Sequence, residues 1–161
     1  MVDRIVNFFS AEKDLQNDDW QAIQALYAIG SGGFFGKGLG NSVQKFNYVP
    51  EPHNDMIFSL IVEEVGFIGS AGIIILCALI VWRGIVIGVN CPTRYGALAA
   101  FGITFKFAIQ VFLNVAVATA LIPNTGITFP FISYGRTALI VNFMEMGVLF
   151  SISRSSRMKK V

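Results

Sequence analysis

Residues 65–82 read VGFIGSAGIIILCALIVW and carry no charged side chain. The apolar stretch begins near Met56 and ends before Arg83, so a helix over these residues is long enough to cross about 30 Å of hydrocarbon. The whole chain is 54% hydrophobic and 14% charged, whereas a soluble domain carries about 25% charged residues. Because the surplus apolar surface needs lipid around it, the sequence predicts an integral membrane protein.

Two more apolar stretches follow the first. One covers roughly 96–122 with Lys106 inside, and the other covers roughly 137–152 with Glu145 inside. The last of these is short and spans only if the apolar loop before it lies partly within the membrane. We therefore expect an all-α fold in which 56–161 form three transmembrane helices and a tail.

The distribution of Lys and Arg predicts the orientation of the chain. One side of the three spans has basic residues and no acids in its loops: Arg83, Arg94, Arg154, Arg157, Lys159 and Lys160. The other side holds 1–55, where seven acids face four bases. We expect the 83–95 loop and the C-terminal tail to be cytoplasmic. We expect 1–55, a large loop with short interfacial helices around 5–9 and 20–28, to be extracytoplasmic, like the 122–136 loop.

The first ten residues lack the basic start, apolar stretch and small-residue cleavage site of a signal peptide. An extracytoplasmic segment of this kind needs membrane helices before it, so we expect the chain to be the C-terminal part of a longer protein. The net charge of +2 is too small to indicate nucleic acid binding. Cys77 and Cys91 lack the spacing of a zinc site and do not indicate a disulfide.

Charged residues inside a span are costly and usually paired or functional. Lys106 and Glu145 lie at similar depth in neighbouring antiparallel helices, and we predict a buried ion pair between them. Lys106, Gln110 and Asn114 recur every four residues and share one helical stripe. Asn142 likewise shares a face with Glu145. Such stripes either line a cavity or hold helices together by hydrogen bonds, and the sequence leaves both interpretations open.

Acidic residues also surround the start of the first span. Asp55 precedes it directly, where a carboxylate is either the N-cap of the helix or, beside apolar residues, a base. His53 could assist that base or bind a metal. Glu63 and Glu64 lie about two turns into the span, too far outward to be the first choice as partners for Lys106.

The stretch 30–40 reads GSGGFFGKGLG and invites comparison with a phosphate-binding loop. It fails that comparison, because Ser31 stands where the motif needs Gly and Gly38 where it needs Ser or Thr, and no strand precedes it. We interpret it instead as a flexible loop near lipid headgroups, in which Lys37 or Lys45 could contact phosphate.

Residues 123–135 read PNTGITFPFISYG, an apolar stretch with two prolines and two glycines. This composition argues against a simple helix. Irregular backbone near membrane depth is tolerated where it packs on protein or lines a cavity. The stretch is either the wall of a substrate groove or a tight loop between two spans.

The stretches 28–33 (AIGSGG), 36–40 (GKGLG), 49–58 (VPEPHNDMIF), 63–69 (EEVGFIG) and 123–135 occur in this order and cover nearly the whole chain. Together they resemble the shape, elongation, division and sporulation family, whose members include FtsW, RodA and SpoVE. The resemblance implies a bacterial plasma membrane protein of about ten helices, of which this chain supplies the large outer loop and the last three helices. It also implies the family's activity, which is polymerisation of lipid II into glycan strands by glycosyl transfer, with a class B penicillin-binding protein as partner.

The resemblance places the family's essential loop aspartate at Asp55, as the base that deprotonates the acceptor sugar hydroxyl. Glu64 matches a family glutamate that orients or charge-tunes the site, and Lys45 lies where it could contact pyrophosphate. A divalent cation such as Mg²⁺ could do the same, although no ligand set is evident. The expected substrate contacts are Lys45, Glu51, His53, Glu64, Ser133 and Tyr134, together with Arg136, a cation outside the family pattern that could contact substrate phosphate.

The chain departs from the family at three positions. Arg136 stands where a second Gly usually follows Gly135, which puts a cation beside the outer groove and leaves the subfamily open. Ala116 and Ala120 stand where some members have Gly. Two other functions remain open for the whole protein, namely a lipid II transporter and a non-catalytic scaffold of the division or elongation machinery. We expect the isolated fragment to be inactive, and the sequence does not separate division, elongation and sporulation.

Overall fold

The computed structural model describes residues 18–38, 40, 57–123, 126–133 and 135–158, and the regular structure within them is helical. Four helices follow one another in the chain: α1 Asp18–Gly32, α2 Ile57–Val89, α3 Arg94–Ala118 and α4 Arg136–Met158. By length and composition, three of them can cross a membrane, namely α2, α3 and the Arg136–Ser155 part of α4. The all-α fold with three spans is thereby confirmed, while the helix predicted around 5–9 lies outside the described residues.

The first span differs from the prediction in two ways. α2 is interrupted at Gly66, whose φ of 76° and ψ of −176° are not helical. It also continues past Arg83 to Val89, so the connection to α3 is only 90–93 instead of the predicted 83–95. The part of α2 after Gly66 is about 34 Å long at the usual rise per residue, which is enough to span. Arg83 does not end the helix, because a long exposed side chain in its last turns can reach toward the membrane surface.

Small residues let α2 and α3 approach closely. Gly84 and Gly88 lie one turn apart on α2 and face Thr104 and Phe101 of α3. A Cβ atom on Gly84 would lie 2.2 Å from Thr104 Oγ1. This is the arrangement of small residues four apart that brings membrane helices into contact.

α3 ends earlier than predicted, at Ala118 rather than Ile122. The amides of Ala120 and Leu121 donate to the carbonyls of Val117 and Ala116, each at 2.9 Å. This pair of bonds is the Schellman motif, in which the residue after the cap is left-handed and usually Gly. Here that residue is Ala120, with a φ of 54°.

We call the end of the bundle where α2 begins, α3 ends and α4 begins its upper end. α1 packs there against α2 and, to a lesser extent, α3, with Ala25 and Ala28 buried. The loop between α3 and α4 also turns inward there, so that Phe129 is buried and stacks on Phe58 of α2. The upper end therefore combines α1, the start of α2 and this loop in one packed unit.

Candidate functional site at the upper end

The break in α2 is filled by another part of the chain. In an unbroken helix the amides of Phe67 and Ile68 would donate to the carbonyls four residues earlier. Here both amides donate instead to carbonyls of residues 33–38, which we call the glycine loop, and amides of the glycine loop donate to the two freed carbonyls. The bonds are Phe67 N to Gly33 O (3.0 Å), Ile68 N to Phe34 O (3.3 Å), Lys37 N to Glu63 O (2.9 Å) and Gly38 N to Glu64 O (3.0 Å). These four backbone groups are thus paired with the glycine loop instead of with each other.

This backbone exchange needs glycine on both sides. Gly66 and Gly36 each have a φ of 76°, a region that side-chain-bearing residues rarely adopt. A Cβ on Gly66 would lie 2.3 Å from Gly36 N, and a Cβ on Gly36 would lie 2.3 Å from Glu64 O. The two backbones therefore touch directly, and no side chain fits between them.

An ion pair lies beside the break. Lys37 Nζ is 2.8 Å from Glu63 Oε1, and Ser31 Oγ shares its proton between Ala28 O at 3.0 Å and the same carboxylate oxygen at 3.3 Å. The Glu63 side chain has no exposed surface, whereas that of Lys37 is 35% exposed. A fully buried carboxylate needs a partner of this kind, because an unpaired buried charge is strongly destabilising.

These contacts correct the interpretation of the glycine-rich stretch. The glycine loop was expected to be flexible, yet it is bonded to α2 by four backbone hydrogen bonds. Lys37 was considered as a phosphate contact, but its ammonium group engages Glu63. The alternative that Lys45 contacts phosphate lies outside the described residues.

The loop between α3 and α4 is held by side chains of α3. Gln110 Nε2 donates to Thr128 O at 2.9 Å, and Asn114 Nδ2 donates to Ile127 O at 2.8 Å. Ser133 Oγ accepts a hydrogen bond from Phe129 N at 2.9 Å. The two amides of the polar stripe therefore bind irregular backbone, which is a form of the holding role, one of the two interpretations that the sequence left open.

The remaining polar residue of the stripe pairs with α4. Lys106 Nζ forms an ion pair with Glu145 Oε1, so the structure brings the two predicted partners together. The ion pair is more exposed than the predicted buried pair, since the Lys106 side chain is 47% exposed in this chain and that of Glu145 is 20% exposed. Lys106, Gln110 and Asn142 also line a groove of about 570 Å³ between α3, α4 and the loop.

The predicted site residues divide into two groups. Lys45, Glu51, His53, Asp55 and Tyr134 lie outside the described residues. Among the others, Glu64 is partly buried beside the break, Ser133 is buried within the loop, and Arg136 is exposed in the first turn of α4. Across the described ranges, no group of three or more His, Cys, Asp or Glu side chains could hold a metal ion.

Sequence reasoning missed the break in α2 and the partner of Glu63. Two signals were available, because Glu63-Glu64-Val65-Gly66 puts a glycine and two carboxylates in one turn of an apolar helix, and Lys37 is the cation of the glycine-rich stretch. The hydrophobic pattern alone does not mark the break, since apolar residues continue on both sides of it. The spacing of Gly84 and Gly88 was likewise a readable sign of close helix contact.

Comparison with known proteins gives the chain its family. A sequence model of the FtsW/RodA/SpoVE family of cell cycle proteins matches residues 1–158. The chain is 48% identical to stage V sporulation protein E of Bacillus subtilis, over 97% of this chain and 43% of that protein. It is 41% identical to the probable peptidoglycan glycosyltransferase FtsW of Idiomarina loihiensis, over 98% of this chain and 39% of that protein.

Solved structures agree with the sequence relatives. The fold matches a chain from work on the structural coordination of polymerization and crosslinking by a peptidoglycan synthase complex, with a TM-score of 0.75 and 27% identity, over 96% of this chain and 41% of that one. It also matches a mutant of the rod shape determining protein RodA from Thermus thermophilus, with a TM-score of 0.63 and 31% identity, over 82% of this chain and 40% of that one. The chain thus spans about two fifths of the length of these relatives. It is a multi-pass membrane protein that belongs to the FtsW/RodA/SpoVE family.

Proposed function

We propose that the full-length protein containing these residues is a peptidoglycan glycosyltransferase that polymerises lipid II. The family match over residues 1–158 and the relatives named as probable peptidoglycan glycosyltransferases support this activity. The residues described here form part of the site, and the whole protein supplies the rest. The same proposal applies whether the protein serves division, elongation or sporulation.

The observation that carries the proposal is the position of the start of α2. Asp55 stands two residues before Ile57, the first residue of that helix. The next residue, Phe58, is buried and stacks on Phe129 with ring centroids 5.7 Å apart. The start of α2 therefore lies beside the loop that carries Ser133 and precedes Arg136, at the upper end of the bundle, and in the sequence Asp55 comes just before this start.

In the proposed reaction the Asp55 carboxylate takes the proton of an acceptor sugar hydroxyl. The hydroxyl oxygen then attacks the anomeric carbon of the donor, a new glycosidic bond forms, and undecaprenyl pyrophosphate leaves with the electron pair of the broken bond. Lys45, Glu51, His53, Glu64, Tyr134 and Arg136 are the proposed substrate contacts. Ser133 is a weaker candidate, because its hydroxyl oxygen already accepts a bond from Phe129 N.

The proposed orientation puts the upper end at the extracytoplasmic face. Basic residues at the opposite end of the spans, including Arg83, Arg94 and Arg154, support this placement.

A divalent cation such as Mg²⁺ would stabilise the leaving pyrophosphate. A class B penicillin-binding protein is the proposed partner, in keeping with the similar structure from a peptidoglycan synthase complex.

The test is polymerisation of purified lipid II by the full-length protein with its transpeptidase partner. We expect native protein to make glycan polymer and Asp55→Ala to make none. Asp19→Ala, which removes a carboxylate of α1 outside the family stretches, is the matched control and should retain activity. Equal polymer from native protein and Asp55→Ala would remove Asp55 from the mechanism. Absence of polymer from both would favour transport or scaffolding.

A further inference from the structure

The break in α2 separates two parts of the helix. The upper part, Ile57–Val65, follows Asp55 in the sequence, and the lower part, after Gly66, is long enough to cross the membrane. The two hydrogen bonds that would bridge residues 63–64 and 67–68 are replaced by bonds to the glycine loop. The direction of the upper part is therefore determined by the glycine loop as well as by α2 itself.

An unbroken α2 would compete for the same backbone groups. If the glycine loop left, the amides of Phe67 and Ile68 could again donate to Glu63 O and Glu64 O. Gly66 would then be free to adopt helical angles in place of its present φ of 76°. The broken and unbroken forms thus satisfy the backbone of α2 equally, and other contacts must decide between them.

The contact best placed to decide is the ion pair. Glu63 belongs to the upper part of α2, and Lys37 and Ser31 belong to the glycine loop and the end of α1. The Glu63 carboxylate is fully buried, so loss of Lys37 would leave it with a weaker set of donors in a site closed to water. The pair therefore ties the glycine loop to the part of α2 that leads to Asp55.

We propose that Lys37 and Glu63 are positioning residues that hold the upper part of α2 in its broken form and thereby direct Asp55 toward the acceptor hydroxyl. Neither residue touches the reacting atoms in this proposal, which rests on the proposed glycosyltransferase function. Since they act on the geometry of the base, their removal should lower kcat and leave the KM for lipid II nearly unchanged.

The experiment measures kcat and KM for lipid II polymerisation by the full-length protein with its partner. The variants are Glu63→Gln, Lys37→Met, the double variant, and Lys37→Arg, which keeps the cation. We expect kcat to fall at least tenfold in both single variants, KM to change less than twofold, and the double variant to be no worse than either single variant. Lys37→Arg should retain most of the activity. Glu145→Gln removes the carboxylate of the other ion pair and is the matched control, with kcat near the native value.

A spectroscopic readout tests the geometry separately. Spin labels at positions 61 and 76 lie on the two sides of the break, and their distance distribution should shift or broaden in Lys37→Met but not in Lys37→Arg. Should Glu63→Gln fail to fold, the two Lys37 variants decide the question, because that side chain is partly exposed. Native kcat and an unchanged distance distribution in Lys37→Met would overturn the inference. Asp55→Ala is assayed in parallel. An active Asp55→Ala would remove Asp55 from the mechanism and overturn the inference with it, whereas absence of polymer from native protein would overturn the proposed function.

Discussion

The break in α2 and the loop between α3 and α4 present the same problem in two forms. Both lie at the upper end of the bundle and contain backbone groups that a regular helix does not pair, and such groups need other partners when buried. At the break, the glycine loop supplies backbone partners, and the two backbones touch. In the loop, side-chain amides of Gln110 and Asn114 supply donors, and Ser133 supplies an acceptor. The first arrangement requires the absence of side chains and the second requires particular ones.

This difference decides how each region should respond to substitution. Where backbone meets backbone, any added Cβ collides with atoms that cannot move independently of the chain. Where a side chain holds backbone, its removal costs a hydrogen bond but leaves room for rearrangement. The break should therefore be the more sensitive of the two regions, and the predictions below test that order.

The largest effect is expected from Gly66→Ala in the full-length protein. Its φ and ψ fall in a region that is essentially restricted to glycine, and the new Cβ would lie 2.3 Å from Gly36 N. We expect a loss of at least about 3 kcal/mol of stability, since strain and collision add. Thermal unfolding in detergent measures it. Gly72→Ala is the matched control in the same helix, because a Cβ there meets nothing within 4 Å. Equal unfolding temperatures for the two variants would contradict the need for glycine at the break.

The amount that the sequence could reveal differs between the two regions. The irregular loop was predictable, because its prolines and glycines exclude a simple helix, and Gln110 and Asn114 were visible as a polar stripe on α3. The break was not predicted from Gly66 and the nearby Glu63 and Glu64, because apolar residues continue on both sides of them and glycine is common in membrane helices. Only the approach of residues 33–38, which are distant in sequence, explains why α2 breaks there.

A moderate effect is expected from Asn114→Ala. The residue is 1% exposed, and its amide holds Ile127 O at 2.8 Å. We expect a loss of about 1–3 kcal/mol, the usual cost of leaving a buried polar group without its hydrogen bond. Asn90→Ala is the matched control, because the Asn90 amide donates to Val86 O at 2.7 Å but is exposed, and it should cost about 0.5 kcal/mol or less. Thermal unfolding compares the pair. A larger loss at position 90 would mean that the loop does not depend on this bond.

The candidate site shows the same limit on sequence reasoning. Lys106 and Glu145 could be paired from their similar depth in two regular helices. Glu63 could not be paired in that way, because its partner Lys37 comes from a loop whose path depends on the break. The resemblance directed attention to Glu64, whereas the fully buried carboxylate in the described structure at this point is that of Glu63.

The smallest effect is expected from Ala120→Gly, because Ala120 occupies a left-handed position after α3 where glycine is usual. Ala120 has a φ of 54° after the end of α3, and the left-handed conformation costs an L-residue about 1–2 kcal/mol. Replacing Ala120 by glycine recovers only part of that energy, because glycine also raises the conformational entropy of the unfolded chain. We therefore expect Ala120→Gly to stabilise the protein by about 0.5–1 kcal/mol. Ala116→Gly is the matched control, because the same substitution inside the helix should destabilise by about 1 kcal/mol. A higher unfolding temperature for Ala120→Gly and a lower one for Ala116→Gly would support a left-handed conformation at position 120. A lower unfolding temperature for both variants would show that the end of α3 does not depend on that conformation.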